Sequence, residues 1–289
     1  MKFRITVPAT TSNLGPGFDY LGMSLTLYNT YEFETSDKFI FNNFENIDKN
    51  LVYETYRYIM EKYSTKIIPI SITLVKADVP TSRGLGSSAT AIIAGMVSAN
   101  FMLQNVINEE TLVREMIKYE GHPDNILSAY YGGLVSSIKD NDKYYHFKHK
   151  VSPDLLFTLV VPPYFLKTEL ARSILPQNLT YQDTLYNASR AFLLKDALEK
   201  GDMEILRIAC KDAIHEKYRG SYIKDYPIIK ELESKYEITV NISGSGSTII
   251  IMSKSRDFMK DIDKSLNVIP VTVDDKGMML EVIEWISQY

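Results

Sequence analysis

Phe3, Ile5 and Val7 alternate with polar residues at the start of the chain, the two-residue period of a half-buried strand. A second β-rich run covers 21–34, as one strand or two, with Leu25, Leu27 and Phe33 as its apolar set, and a third covers 39–44. The period then changes. Leu51, Tyr56, Ile59 and Tyr63 fall near helical spacing, which predicts an amphipathic helix over 50–63 whose stripe reads as core. A strand over 67–75 leads through a loop to a helix over 89–103 that carries Ala91, Ile92, Met96, Val97 and Phe101. A helix over 108–119, capped by Asn108, turns Leu112, Met116 and Tyr119 inward, and another runs from Pro123 to Tyr131 until Gly132-Gly133 stops it. The runs 135–138 and 144–147 form a hairpin over 139–143.

The pattern shifts near 150–153, which places the domain boundary there and divides the chain into 1–150 and 151–289. A strand over 155–161 opens a helix-rich second half. It predicts a short helix beginning at Lys167, helices over 181–199, 202–213 and 225–235, and strands over 238–242 and 248–252 joined by Ser243-Gly244-Ser245-Gly246-Ser247. A helix over 256–265, a strand over 268–273 and a C-terminal segment with Trp285 complete the prediction. No internal repeat or low-complexity tract interrupts this order.

The chemistry concentrates in the loop Pro80-Thr81-Ser82-Arg83-Gly84-Leu85-Gly86-Ser87-Ser88-Ala89-Thr90, between a predicted strand and a predicted helix. Gly84 and Gly86 permit positive φ and remove the Cβ atoms that keep a ligand off the backbone. Ser87 and Ser88 are expected to cap the helix and supply hydroxyl donors. Free amides and the positive end of the helix dipole then converge on one spot, which suits phosphate. The plainer alternative is a serine-capped connection, but the agreement of motif, strand and helix favours phosphate. No Lys follows the second Gly, so the Walker A pattern fails, and Arg83 is the only cation in the loop.

Two other loops are rich in polar groups. Residues 8–19 form a stiff turn around Gly15-Pro16-Gly17, where Asn13 and Asp19 offer acceptors for an ammonium group, although a plain connector has the same composition. Glu120-Gly121-His122-Pro123-Asp124-Asn125 crowds carboxylates, an imidazole and an amide into one turn. Taken singly, His122 reads as structural and Asp124 as a helix cap; taken together they point to a site. Glu120 suits Mg²⁺, which uses one or two carboxylates plus phosphate oxygens. In the 243–247 loop Ile249 occupies the place of the third Gly, so the dinucleotide fingerprint fails. That loop is either a simple Ser/Gly hairpin or a second backbone wall beside the phosphates.

Bulk properties narrow the class. A hydrophobic content of 45% and a charged content of 24% over 289 residues are those of a soluble globular protein. The net charge of −4, with no long basic run, argues against nucleic-acid binding as a main role. The single cysteine, Cys210, excludes an internal disulfide and falls in an apolar helical pattern, as a buried structural thiol does. One Cys and four scattered His make no metal cluster. The N-terminus reads as a strand rather than a signal peptide and no apolar run reaches membrane length, so the expected location is cytoplasmic and the sequons at Asn178, Asn187 and Asn241 are chance matches.

The loop 80–90 resembles the phosphate loop of the GHMP kinases. The segments 7–19 and 120–125, with Gly132-Gly133 downstream, and 242–248 resemble the corresponding motifs of the homoserine kinase branch. With Thr168, Arg172 and Tyr218-Arg219 the resemblance spans nearly the whole chain. Ser245 and Ser247 depart from it, standing where Ala and Pro are usual, and Thr90 replaces a small apolar residue. The resemblance implies an α+β, two-domain fold: an N-terminal ATP-binding unit like ribosomal protein S5 domain 2 and a C-terminal ferredoxin-like unit, with the site between them. It implies ATP and Mg²⁺, phosphorylation of L-homoserine to O-phospho-L-homoserine on the route to threonine, and a homodimer.

By the same resemblance Asn13, Asp19, His122, Thr168, Arg172 and Arg219 form the substrate set. Ser88 and Glu120 hold Mg²⁺, Asn125, Glu120 and Arg172 are catalytic, and the loop amides with Gly244 and Gly246 face the nucleotide. The residue chemistry agrees, because a zwitterionic amino acid needs guanidinium groups for its carboxylate and acceptors for its ammonium. Asn125 stands where some relatives carry an Asp base, so the expected mechanism has no carboxylate base and Asn125 orients the hydroxyl. The alternatives are another GHMP small-molecule kinase, a non-catalytic sensor on the same fold, and a nucleotide-dependent oxidoreductase, which the failed fingerprint disfavours.

Overall fold

The computed structural model describes residues 1–44 and 50–285. In chain order its elements are β1 (Lys2–Ser12), β2 (Leu21–Thr35), β3 (Ile40–Asn42), α1 (Leu51–Tyr63), β4 (Ile70–Ala77), α2 (Ser87–Met102), α3 (Glu109–Glu120), α4 (Asp124–Tyr131), β5 (Leu134–Asp140) and β6 (Lys143–His149). There follow β7 (Leu156–Val161), α5 (Thr168–Ser173), α6 (Tyr181–Lys200), α7 (Met203–Ala209), α8 (Glu216–Arg219), α9 (Tyr226–Lys230), β8 (Ile238–Ile242), β9 (Ile249–Ser253), β10 (Asn267–Val271) and β11 (Met279–Glu284).

The first sheet has seven strands. Five run in the order β11-β1-β2-β4-β3, and the β5–β6 hairpin joins the other end of β2. The 15-residue β2 serves both arms: Asn29–Thr35 pairs with β4 and Leu21–Met23 with β5. Its register with β1 slips between Pro8, opposite Tyr28, and Ala9, opposite Leu25. Proline has no amide hydrogen, so an irregularity there sacrifices no donor. Helix α2 packs against this sheet and is buried over residues 89–100 on every side, as expected of a helix without a polar face.

The second sheet runs β10-β7-β9-β8, antiparallel throughout. This is the 4-1-3-2 order of a ferredoxin-like unit, so the two-sheet α+β architecture is the expected one. One apolar cluster joins the two halves: Leu14, Met23 and Leu25 pack with Phe157, Leu198, Leu206 and Ile250. The division at 150/151 therefore remains a proposal. Strand β11, from the second half of the sequence, is hydrogen-bonded to β1.

Several predicted elements differ from the observed ones. The C-terminal segment, for which the sequence predicts no element type, contains strand β11. The helix predicted over 202–213 ends at Ala209, because the Asp212 carboxylate takes the amides of His215 and Glu216 and turns the chain. The helix predicted over 225–235 is a five-residue helix followed by a 3₁₀ turn. The helix predicted over 256–265 is a 3₁₀ turn over Asp257–Asp261. Ser255 Oγ accepts from the Asp257 amide and Asp263 from the Ser265 amide, local bonds that compete with a helix. Among the described residues no helix is long and apolar enough to cross a membrane.

Helices α1 and α2 touch at Gly95, where a Cβ would lie 2.1 Å from Thr55 Oγ1 and 2.3 Å from the Val52 carbonyl oxygen. Alanine favours a helix over glycine by about 1 kcal/mol, but overpacking costs about 1–3 kcal/mol, and a backbone carbonyl cannot swing aside. With a fixed carbonyl in the way, the clash falls in the upper part of that range, about 2–3 kcal/mol, so Gly95→Ala is expected to lower the urea midpoint, with a net loss of about 1–2 kcal/mol. An unchanged or raised midpoint would contradict this packing.

Candidate active site

A cavity of about 450 Å³ opens where the phosphate loop, the α3–α4 turn and helices α5 and α8 meet. Its floor is backbone. Helix α2 starts at Ser87, its N-cap is Gly86 at φ 68°, and no side chain caps it. The expectation that Ser87 and Ser88 cap this helix is wrong: Ser88 Oγ donates to Glu120 Oε1 at 2.6 Å instead. The first-turn amides thus have no side-chain cap, as an anion site requires.

Both glycines are forced by close approach. A Cβ on Gly86 would lie 2.0 Å from Thr10 Oγ1, and one on Gly84 would lie 2.2 Å from the Ser243 carbonyl oxygen. The 243–247 loop packs directly on the phosphate loop. Ser243 Oγ donates to the Gly84 carbonyl at 2.7 Å, and the Thr248 amide donates to that of Arg83 at 3.1 Å. Arg83 reaches across to the second half, where its guanidinium donates to the carbonyls of Pro162 and Pro163. From the phosphate loop, residues 81–88 line the cavity, and Gly244 joins them. Pro80, Ala89, Thr90 and Gly246 do not. Thr90 is buried instead, beside Asn29 and Tyr31.

The α3–α4 turn forms the next wall. Asp124 is buried, and its Oδ1 accepts from His122 Nδ1 at 2.7 Å and from the Asn125 amide at 2.8 Å. Burial alone would raise the Asp124 pKa, but the His122 hydrogen bond and charge outweigh it and hold the carboxyl below its usual range. Burial likewise opposes charge on His122, yet the bond to Asp124 and the nearby carboxylates raise its pKa. Asn125 accepts from Thr10 Oγ1 at 2.7 Å and donates to Ser12 Oγ at 3.2 Å, so its amide is fixed at the cavity edge.

Glu120 and Ser88 offer two hard oxygen donors side by side. Burial pushes the Glu120 pKa up, and a divalent cation in contact would hold it ionised. This pair fits Mg²⁺, which takes one or two protein oxygens and fills its shell with phosphate and water. Among the described residues no group of three or more His, Cys, Asp or Glu could hold a metal unaided.

At the far wall Asp19 and Arg172 meet in a bidentate ion pair at 2.8 and 2.9 Å. The Asp19 amide donates to Asn13 Oδ1 at 2.8 Å. Two residues expected to take opposite ends of a zwitterion thus hold each other; Asn13 and Arg172 line the cavity and Asp19 does not. Arg219 is 1% exposed, so it is not a surface ion-pair residue. Its Nε donates to the Ala171 carbonyl and its Nη1 to that of Gly244. Burial, then the neighbouring Arg172, lower its pKa to about 10, which leaves it charged at neutral pH. Thr168 and His122 complete this end.

Sequence reasoning missed the opposite end, lined by Asn29, Tyr31, Asn50, Leu51, Leu74 and Val79. Periodicity places all of these but Val79 in strands or a helix; a buried Asn in the middle of β2 is the available signal. It also missed Glu216, a buried carboxyl that accepts from Asn241 Nδ2, the Ile242 amide and Tyr226 Oη. These bonds tie α8 to the end of β8 and so fix Arg219 against Gly244. Cys210 is the inert thiol expected, its pKa pushed up to about 12 by burial.

Comparison with known proteins adds the following. The family model described as GHMP kinases N terminal domain matches residues 50–133. A homoserine kinase of Clostridium botulinum (strain Okra / Type B1) is 37% identical over 283 residues, covering 96% of this chain and 94% of that protein. A homoserine kinase of Clostridium beijerinckii is 38% identical over 291 residues, covering 94% and 96%. Among solved structures, a homoserine kinase from Cytophaga hutchinsonii superposes with a TM-score of 0.82 at 24% identity, over 96% of this chain and 97% of that one. The phosphomevalonate kinase of Streptococcus pneumoniae superposes at 0.73 with 14% identity, over 94% and 99%, a likeness of fold.

The His122–Asp124 pair gives stability a defined pH dependence. His122 is raised from its ordinary 6.5, so its contribution is complete below that value and is lost as pH rises through the folded pKa. Asp124 is depressed from 3.8, so its contribution is complete above that value and is lost as pH falls through the folded pKa. The melting-temperature deficit of His122→Gln is therefore expected to be larger at about pH 6 than at about pH 9. Equal deficits would contradict a charged pair.

Proposed function

The chain belongs to the homoserine kinases, within the GHMP kinase family, and we propose that it uses this cavity to move the γ-phosphoryl group of ATP onto the side-chain hydroxyl of L-homoserine. The observation that carries the reading is the placement of Arg172 and Arg219 in the same cavity as the uncapped start of α2. One end suits phosphate and the other a carboxylate.

In this reading the amides of 84–88 hold the α- and β-phosphates. Ser88 and Glu120 would hold Mg²⁺, which would supply positive charge against the phosphates. The substrate carboxylate is taken by Arg172 and Arg219, and its ammonium by Asp19 and Asn13; His122 and Thr168 close that end. A zwitterion can replace both halves of the Asp19–Arg172 pair at once, so neither charge is left unmatched. A ligand with only one charge strands the other partner, at about 1–3 kcal/mol or more. This favours an amino acid over a sugar or a simple hydroxy acid.

Asn125 orients the hydroxyl, and Arg172 adds positive charge beside the transferred group. Asp124 is a poor base because His122 and the Asn125 amide already occupy its Oδ1 and its pKa is depressed. Phosphoryl transfer through a loose transition state proceeds by positioning and charge neutralisation, and the proton leaves late.

A coupled ADP-release assay is expected to report Mg²⁺-dependent turnover with L-homoserine and none with homoserine lactone, mevalonate or galactose. Turnover on a sugar or mevalonate alone would assign the chain to another GHMP activity, and ATP binding without any acceptor would favour a sensor. Arg172→Ala is expected to raise the homoserine KM by about 10–100-fold, the worth of a charged hydrogen-bonded contact. Asp124→Asn is expected to keep turnover within about tenfold. Abolished turnover with substrate binding intact would make Asp124 the base.

A further inference from the structure

Phe18 lies outside the cavity lining, yet its ring touches both cationic groups of the far wall. The Arg219 guanidinium carbon is 5.1 Å from the ring centroid and that of Arg172 is 5.8 Å away. The imidazole of His215, which is fully buried, stacks on the same ring at 5.4 Å with the planes 28° apart. Both guanidinium distances fall within cation–π range.

Two like charges beside one another repel, and something must keep them together. Asp19 grips Arg172 alone. Arg219 bonds two backbone carbonyls and no carboxylate. The charges of Asp19 and Asp124 act on both arginines, and the face of the Phe18 ring lies against both guanidinium groups. The ring itself has little freedom. His215 Nε2 donates to the Gly15 carbonyl at 3.0 Å, the Gly17 amide donates to the Leu14 carbonyl at 3.0 Å, and a Cβ on Gly15 would lie 2.7 Å from the Cys210 carbonyl oxygen. The loop therefore sits tightly against the second half of the chain, with Phe18 pinned at its tip.

We infer that Phe18 is a positioning residue for substrate recognition: its ring sets the spacing of Arg172 and Arg219, so that together they form a fork for one carboxylate. This rests on the homoserine kinase reading. It gives adjacent residues separate tasks, with Phe18 spacing the two cations and Asp19 pairing with one of them.

The test is steady-state kinetics of Phe18→Leu, which keeps apolar bulk without a π face, and Phe18→Tyr, which keeps the face. Phe18→Leu is expected to raise the homoserine KM about tenfold while the ATP KM stays within about twofold. Phe18→Tyr is expected to stay within about twofold throughout. An unchanged homoserine KM in Phe18→Leu, an equal rise in both KM values, or a Tyr variant as impaired as the Leu variant would overturn the inference. If Phe18→Leu does not melt cooperatively, Phe18→Met takes its place under the same criteria. A second readout needs no turnover: the arginine Nε–H NMR signals of Arg172 and Arg219 are expected to shift in Phe18→Leu as the ring current is removed and the groups move. Unmoved signals would sink the role of Phe18 whatever the substrate. Signals that shift in Phe18→Leu, together with a wild-type protein that does not phosphorylate homoserine, would leave the spacing intact and sink the assigned substrate instead.

Discussion

The backbone of Gly84 runs so close to the turn between β8 and β9 that no side chain fits between them. This contact constrains everything else in the molecule. It joins the loop that starts α2 to the second sheet, and hydrogen bonds from Ser243 and Thr248 to the Gly84 and Arg83 carbonyls secure it. The cavity that results has a floor of peptide groups, held at fixed distance by two sheets that share one apolar cluster. Preorganised amides of this kind bind phosphate without first having to be ordered.

Around that floor the charges are arranged in matched sets. Asp19 with Arg172, His122 with Asp124, and Ser88 with Glu120 each satisfy a polar group that would otherwise be stranded in a partly dry cavity. In the function proposed above, a ligand takes over two of these sets: a zwitterion the first and a divalent cation the third. The middle one is shut, because Asp124 is buried and held on one side by an imidazole and on the other by an amide. It serves as a fixed part of the wall, consistent with a kinase that works by placement rather than by proton abstraction.

Much of this was legible in the sequence where the signal is local. The positive φ of Gly84 and Gly86 and the helix cap Asn108 depend on neighbours a few residues away, and both behave as expected. What failed depends on distance or on competition. The Asp19–Arg172 pair joins positions 153 residues apart, beyond any periodicity. Ser88 could cap a helix or bond Glu120, and only the fold decides between them. The helices predicted over 202–213 and 256–265 are cut short by side chains at Asp212, Ser255 and Asp263 that take backbone amides. Strand β11 exists because β1 leaves an edge for it to cover.

In the proposed function one cavity holds a nucleotide triphosphate on backbone amides and an amino-acid carboxylate between two arginines. A crystal structure with a non-hydrolysable ATP analogue, Mg²⁺ and L-homoserine tests it most directly. Phosphate oxygens are expected on the amides of 84–88, the substrate carboxylate between Arg172 and Arg219, and the Asp19–Arg172 pair opened to admit it. A triphosphate bound elsewhere, or homoserine bound with that pair intact and its carboxylate remote from both arginines, would contradict it.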